Sequence, residues 1–181
     1  SDARKAPMVR AEVHVERFIA DVSDETMVAN AIGYAAERLG GIDGLVNSAG
    51  VNTMKPFAET GADEWNRTLA VNLSGVFHVC RAALELLRMN ARATIVNISS
   101  AIALQPLANR TAYAASKAGL IALSKVLAIE LAPTIRVNVV CPGAVDSAML
   151  RNTFSAEAIA KMSARYPLGR IATADEAASA V

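Results

Sequence analysis

The sequence predicts an α/β fold, a doubly wound parallel sheet in three layers, α/β/α. Three observations carry that expectation. Strand-like apolar runs alternate with helix-like periodic segments along the whole chain, the pattern that builds parallel sheets. Polar or turn-forming residues (Asp21, Asn47, Ser100 and Pro142-Gly143) follow the strands, at the edge where such sheets bind ligands. Hydrophobic residues make up 53% of the 181 and charged ones 19%, enough for one domain with a sizeable core.

Taken in order, residues 1–12 are polar, with Pro7, and read as a loop or a helix remnant. Val13 to Ala20 is strand-like and leads to Asp21-Val22. Ser23 is the expected N-cap of a first helix, with Asp24 and Glu25 in its first turn. Val28, Ala31, Ile32, Ala35, Ala36 and Leu39 share one face of that helix, and Gly40-Gly41 ends it. Leu45 to Asn47 reads as a short buried strand delivering the turn Asn47-Ser48-Ala49-Gly50. After a loop with Pro56, a helical pattern covers roughly Ala62 to Met89, with Asn72 and Gly75 inside it. Thr94, Ile95, Val96 and Ile98 form a strand that runs out at Ser99 and Ser100. A helix from Thr111 to Leu131 and a strand from Ile135 to Val140 complete the alternation.

Tyr113 and Lys117, four residues apart, lie one turn apart on one helix face and can touch a common ligand. A phenol ionises near pH 10 and is a poor base at neutral pH. A nearby ammonium favours the phenolate. Ser100, at the mouth of the preceding strand, could hold a carbonyl oxygen where Tyr113 delivers a proton. That set suits proton transfer coupled to redox chemistry at a carbonyl or alcohol. The spacing alone favours an exposed helix pair.

Other classes find less support. A net charge of +1 and no basic stripe give no electrostatic case for nucleic acid. No uninterrupted 18-residue apolar run is present, so no membrane span is expected. Cys80 and Cys141 lie in apolar segments and read as reduced core residues of a cytoplasmic protein, not a disulfide or metal site. A serine hydrolase on Ser99 or Ser100 lacks Gly-x-Ser-x-Gly, and the only histidines are His14 and His78.

A serine at a strand end followed by Tyr113-Ala-Ala-Ser-Lys117 resembles the signature of the short-chain dehydrogenase/reductases, which have a Rossmann-like domain. The resemblance runs from about Val13 to Val181. Asp21-Val22 looks like the pair that contacts the adenine ring. Asn47-Ser48-Ala49-Gly50 is similar to Asn-Asn-Ala-Gly, which lines the adenosine ribose and stabilises the sheet. Val71-Asn72-Leu73 resembles the segment with the catalytic asparagine, although Asn72 is equally a satisfied core amide. Cys141-Pro142-Gly143-Ala144-Val145-Asp146-Ser147 resembles the turn at the nicotinamide, with Val145 and Ser147 at its carboxamide.

The resemblance implies hydride transfer between NAD or NADP and a ketone or secondary alcohol. Tyr113 would be acid and base, and Lys117 would assist it and hold the nicotinamide ribose. Ser100 would polarise the substrate oxygen, and Asn72 would hold a water linking Lys117 to solvent. Met149 to Tyr166 would form a lid, its apolar residues either facing a moderately hydrophobic substrate or simply buried. The resemblance also implies a homotetramer, or failing that a dimer, paired through the two long helices. A non-catalytic nucleotide-binding or assembly module on the same fold is the alternative.

The sequence departs from the family in one large respect. The strand with Gly-x-x-x-Gly-x-Gly, which takes the pyrophosphate at a helix N-terminus, has no counterpart among the ten glycines. The second strand, which discriminates NAD from NADP, and the closing strand are missing too. The expectation is therefore a single domain incomplete at both ends, with Val13–Ala20 as third strand and Leu45–Asn47 as fourth in the order 3-2-1-4-5-6.

Overall fold

The computed structural model describes residues 14–181. The expectations for residues 1–12 and for Val13 lie outside the described residues.

Helix α1 (Glu25–Leu39) starts at Asp24, whose carboxylate accepts from the Met27 amide, and ends at Gly40 in the left-handed conformation, φ 77°. Ser23 is not the cap. Both its amide and its hydroxyl donate to Asp21 Oδ1, at 2.9 and 2.7 Å, so it closes an Asx turn instead.

Three parallel strands follow: β1 (Gly44–Asn47), β2 (Ala93–Ile98) and β3 (Ile135–Val140), adjacent in the order β1-β2-β3. This is the order of strands four, five and six in a doubly wound sheet. The register pairs Asn47 with Asn97 and Ile98 with Val140, so all three strands end at one edge.

Between β1 and β2 the helical pattern divides into α2 (Ala62–Leu69), a π-helical turn (Ala70–Ser74) and α3 (Gly75–Arg88). Helix α4 (Thr111–Glu130) connects β2 to β3. Beyond β3 lie α5 (Ala148–Thr153), α6 (Ala156–Ser163) and α7 (Ala174–Ala178).

One core binds the layers. Val76, Cys80, Ala83 and Leu87 of α3 and Leu120 of α4 pack on Ala93 and Ile95 of β2 and Ile135 and Val137 of β3, and Ile32 of α1 joins from the side. The alternate positions point to the opposite face, where Val46 is 53% exposed; β1 is therefore not the buried strand expected. Gly75 is required by close approach: a Cβ there would stand 2.7 Å from Val22 Cγ2. Val22 thus packs against the N-terminus of α3.

The expected strand Val13–Ala20 is absent from the sheet among the described residues, where 14–20 have no regular structure. A strand exists only through a hydrogen-bonded neighbour, and no described strand lies beside this segment. It docks on α1 through side chains. Glu16 accepts from Tyr34 and Arg38, and the Phe18 and Tyr34 rings lie 5.1 Å apart. Ile19 remains 92% exposed.

The expected absence of an uninterrupted apolar run does not make the two long helices short. The Ala62–Arg88 and Thr111–Glu130 helices are long and apolar enough to cross a membrane by length and composition. Each tolerates isolated charges that interrupt an apolar run. Both lay a face on the sheet, with Leu87 and Leu120 fully buried.

Candidate active site

The carboxyl ends of the three strands open into a cleft of about 1160 Å³. Ser100, Tyr113, Lys117, Gly143, Val145 and Ser147 are among the residues that line it.

Two reciprocal hydrogen bonds fix Lys117 against the end of β2. Ser99 Oγ donates to the Lys117 carbonyl at 2.8 Å, and Lys117 Nζ donates to the Ile98 carbonyl at 2.7 Å. An ammonium has three donors, so two remain for a ligand. The side chain is buried, and burial lowers its pKa to about 8. Its ammonium lies 5.9 Å from the centroid of the Tyr113 ring. Ser100 Oγ accepts from the Ile102 amide at 3.2 Å, which turns the hydroxyl at the strand mouth and leaves its own proton to donate.

Asn72, fully buried in the π turn, bridges two elements. Its Oδ1 accepts from the Val51 amide at 2.8 Å, and its Nδ2 donates to the Val51 carbonyl and to Ser116 Oγ at 2.9 and 3.1 Å. Asn72 is thus a satisfied core amide that joins the loop after β1 to α4. Both donors are used, and one acceptor lone pair remains on Oδ1. Gly50 lies between the pair: a Cβ there would stand 3.4 Å from Asn72 Oδ1 and 3.6 Å from Lys117 Nζ.

The other expected cofactor residues fall into two groups. Pro142 lines the cleft beside Gly143, and Ser147 also caps α5 by accepting from Leu150. Asp21, Val22, Asn47 and Ala49 do not line it. Asn47 points into the core, donating to Asn97 Oδ1 at 2.8 Å; Asn97 donates on to Ser124 Oγ at 2.9 Å. This buried polar chain pins β1, β2 and α4 in register.

Sequence reasoning passed over Arg110, Asn52 and Tyr166. Arg110 is buried beside the cleft, donating to Asn52 Oδ1 with its guanidinium over the Phe154 ring. Its position three residues before Tyr113 was the available signal, since such pairs share a helix face. Tyr166, at the end of the segment that follows α6, reaches the turn after β3, its hydroxyl accepting from the Ala144 amide at 3.1 Å. Cys80 and Cys141 are both free thiols, and burial raises that of Cys80 to about 11.

Comparison with known proteins adds lineage to this geometry. A family model described as enoyl-(acyl carrier protein) reductase matches residues 2–181. The chain is 37% identical over 167 residues to the inactive 2-(S)-hydroxypropyl-CoM dehydrogenase 2 of Xanthobacter autotrophicus, covering 89% of this chain and 73% of that protein. It is 39% identical over 160 residues to trans-4-hydroxycyclohexanecarboxylate dehydrogenase of Sinomonas cyclohexanicum, covering 86% of this chain and 58% of the relative. Among solved structures, a short-chain glucose/ribitol dehydrogenase from Brucella melitensis superposes with a TM-score of 0.84 at 35% identity, over 89% of this chain and 64% of that one.

Proposed function

The chain belongs to the short-chain dehydrogenase/reductase family, and on that premise we propose that it moves a hydride between a nicotinamide cofactor, NAD or NADP, and a ketone or secondary alcohol. The observation that carries this reading is the clamp on Lys117: bonds from Ser99 and to Ile98 hold the ammonium 5.9 Å from the Tyr113 ring, in the cleft that Ser100 also lines.

The residues fit the nicotinamide end of such a cofactor. Lys117 has donors left for a ribose, and Val145 and Ser147 line the same cleft. The cofactor, when bound, supplies or accepts the hydride. In reduction, Ser100 donates a hydrogen bond to the substrate oxygen and Tyr113 delivers the proton that oxygen needs as the carbon gains hydride. Lys117 stabilises negative charge developing on the tyrosine oxygen. The free lone pair of Asn72 can orient a water that passes protons toward Lys117. Oxidation runs the same steps in reverse.

Titration with NADH and with NADPH, followed by nicotinamide fluorescence, tests the reading when paired with turnover of a set of ketones. Binding and turnover are expected. Failure to bind either cofactor would sink the proposal. Binding without turnover of any ketone would favour the second reading, a non-catalytic module, to which the relative named as inactive lends some weight. Against it, Ser100, Tyr113, Lys117 and Asn72 are all intact in this chain.

We also propose a homotetramer, with a dimer as the lesser form. Phe77 on α3 and Val126 and Ile129 on α4 leave 45%, 49% and 79% of their surfaces exposed, and a monomer gains nothing from such apolar surface. Light scattering at micromolar concentration should give a multiple of the protomer mass; a stable monomer would refute this.

A further inference from the structure

Arg110 is 5% exposed, yet no carboxylate pairs with it among the described residues. The contrast with its kind is direct: Arg38, Arg151 and Arg170 all sit at the surface and all hold carboxylates. A buried charge without a counter-ion is costly, and burial does push the Arg110 guanidinium below its ordinary range. Its contacts are neutral, the Asn52 amide and the Phe154 ring.

Among the described residues only one guanidinium nitrogen, Nη1, is bonded to a side chain. No fully buried side-chain nitrogen or oxygen among the described residues lacks a partner. Nε and Nη2 are therefore not sealed off, on a side chain that lines the cleft. The fork of donors needed for bidentate recognition of an anion is thus free. Asn52 and Phe154 hold it in one orientation, which reduces the ordering cost of binding.

The surroundings agree in sign. Arg110, Lys117, Lys161 and Arg165 line the cleft, and among the described residues no Asp or Glu does. Lys161 is paired with Glu157 at 2.8 Å, and Arg165 is exposed, so neither rivals Arg110 for a desolvated contact.

We propose that Arg110 is a specificity residue for an anionic substrate: a small keto or hydroxy acid whose carboxylate, or sulfonate, it grips while the carbonyl or hydroxyl group reaches Tyr113 and Ser100. Arg110 precedes Tyr113 by three residues, about 4–5 Å along a helix axis, so one small molecule spans both. The inference rests on the oxidoreductase reading above.

The test sets 3-oxobutanoate against its methyl ester, with 2-oxopropanesulfonate as the sulfonate arm. Each is measured by calorimetric binding with NAD or NADP present and by cofactor-linked turnover. The full chain should bind at least one of the two anions about tenfold or more tighter than the ester, the scale of one charge-assisted pair, and the tighter of the two identifies the anion. In Arg110→Leu the ratio of kcat/KM for anion over ester should fall at least about tenfold. Arg110→Gln, which keeps a donor for Asn52, should lose the same preference if the leucine variant fails to fold. Equal affinity for anion and ester, a preference that survives both substitutions, or a loss of cofactor affinity in its place would overturn the proposal. Ester turnover without anion preference sinks the anion subsite alone. Anion binding without turnover sinks the oxidoreductase reading alone.

Discussion

Tyr113→Phe is expected to lower turnover by roughly 10²–10⁴-fold, the usual contribution of a positioned acid–base group, while cofactor affinity and the unfolding midpoint stay near those of the unsubstituted chain. The structure says why the loss should be confined to chemistry. The Tyr113 hydroxyl bonds to no protein side chain or backbone group among the described residues, so its removal leaves no orphaned partner in the fold. The phenyl body stays beside Lys117, whose hold on Ile98 is untouched. Steady-state turnover with a ketone, measured beside cofactor fluorescence, checks both halves. A variant that keeps more than about a tenth of the rate would remove Tyr113 from the acid–base role, because a group worth that little is not the proton donor.

That prediction draws on residues legible in the sequence, and the reason is local. Tyr113 and Lys117 share a face by helical spacing alone, and the strand before Ser100 is an apolar run with an abrupt polar end. The parallel sheet follows from the alternation of strands and helices, and the order β1-β2-β3 is that of strands four to six in the doubly wound sheet the resemblance implied. Features set by long-range contact were less visible. Pairing of 14–20 depends on a neighbouring strand, and propensity cannot supply one. The π turn at Ala70–Ser74 breaks no periodicity that a reader can see. It inserts Asn72 between Val51 and Ser116, which lie 21 residues before it and 44 after it in the chain. Asn97 and Ser124 look like ordinary polar residues until Asn47 completes their chain. Arg110 reads as a solvated charge before a helix, and only burial with a neutral partner makes it unusual.

Lys117 was expected as a cation, and it is one held under tension between charge and burial, which makes stability depend on pH in a way that can be measured. Its folded pKa of about 8 lies below the 10.5 of an ordinary lysine. Below pH 8 both folded and unfolded chains carry the proton, and this group contributes no slope. Between about 8 and 10.5 the unfolded chain still binds a proton that the folded chain has released, so stability rises with pH across that window. From pH 7 to pH 10 the gain is about 2–3 kcal/mol, at about 1.4 kcal/mol for each pH unit inside the window. Lys117→Met keeps the length of the side chain and removes the titrating group. It leaves the Ile98 carbonyl without its donor at every pH, an offset of about 1–3 kcal/mol that does not vary across the window. The difference in unfolding free energy between the original chain and Lys117→Met, taken from urea titrations at pH 7, 8, 9 and 10, should therefore widen in favour of lysine as pH rises. Groups remote from residue 117 are common to both proteins and cancel in that difference; making the same comparison on a Tyr113→Phe background removes the neighbouring phenol as well. Parallel profiles would mean that the Lys117 proton is held as tightly in the fold as in water, and the ammonium would then owe its place beside Tyr113 to compensating charge rather than to the clamp from Ser99 and Ile98.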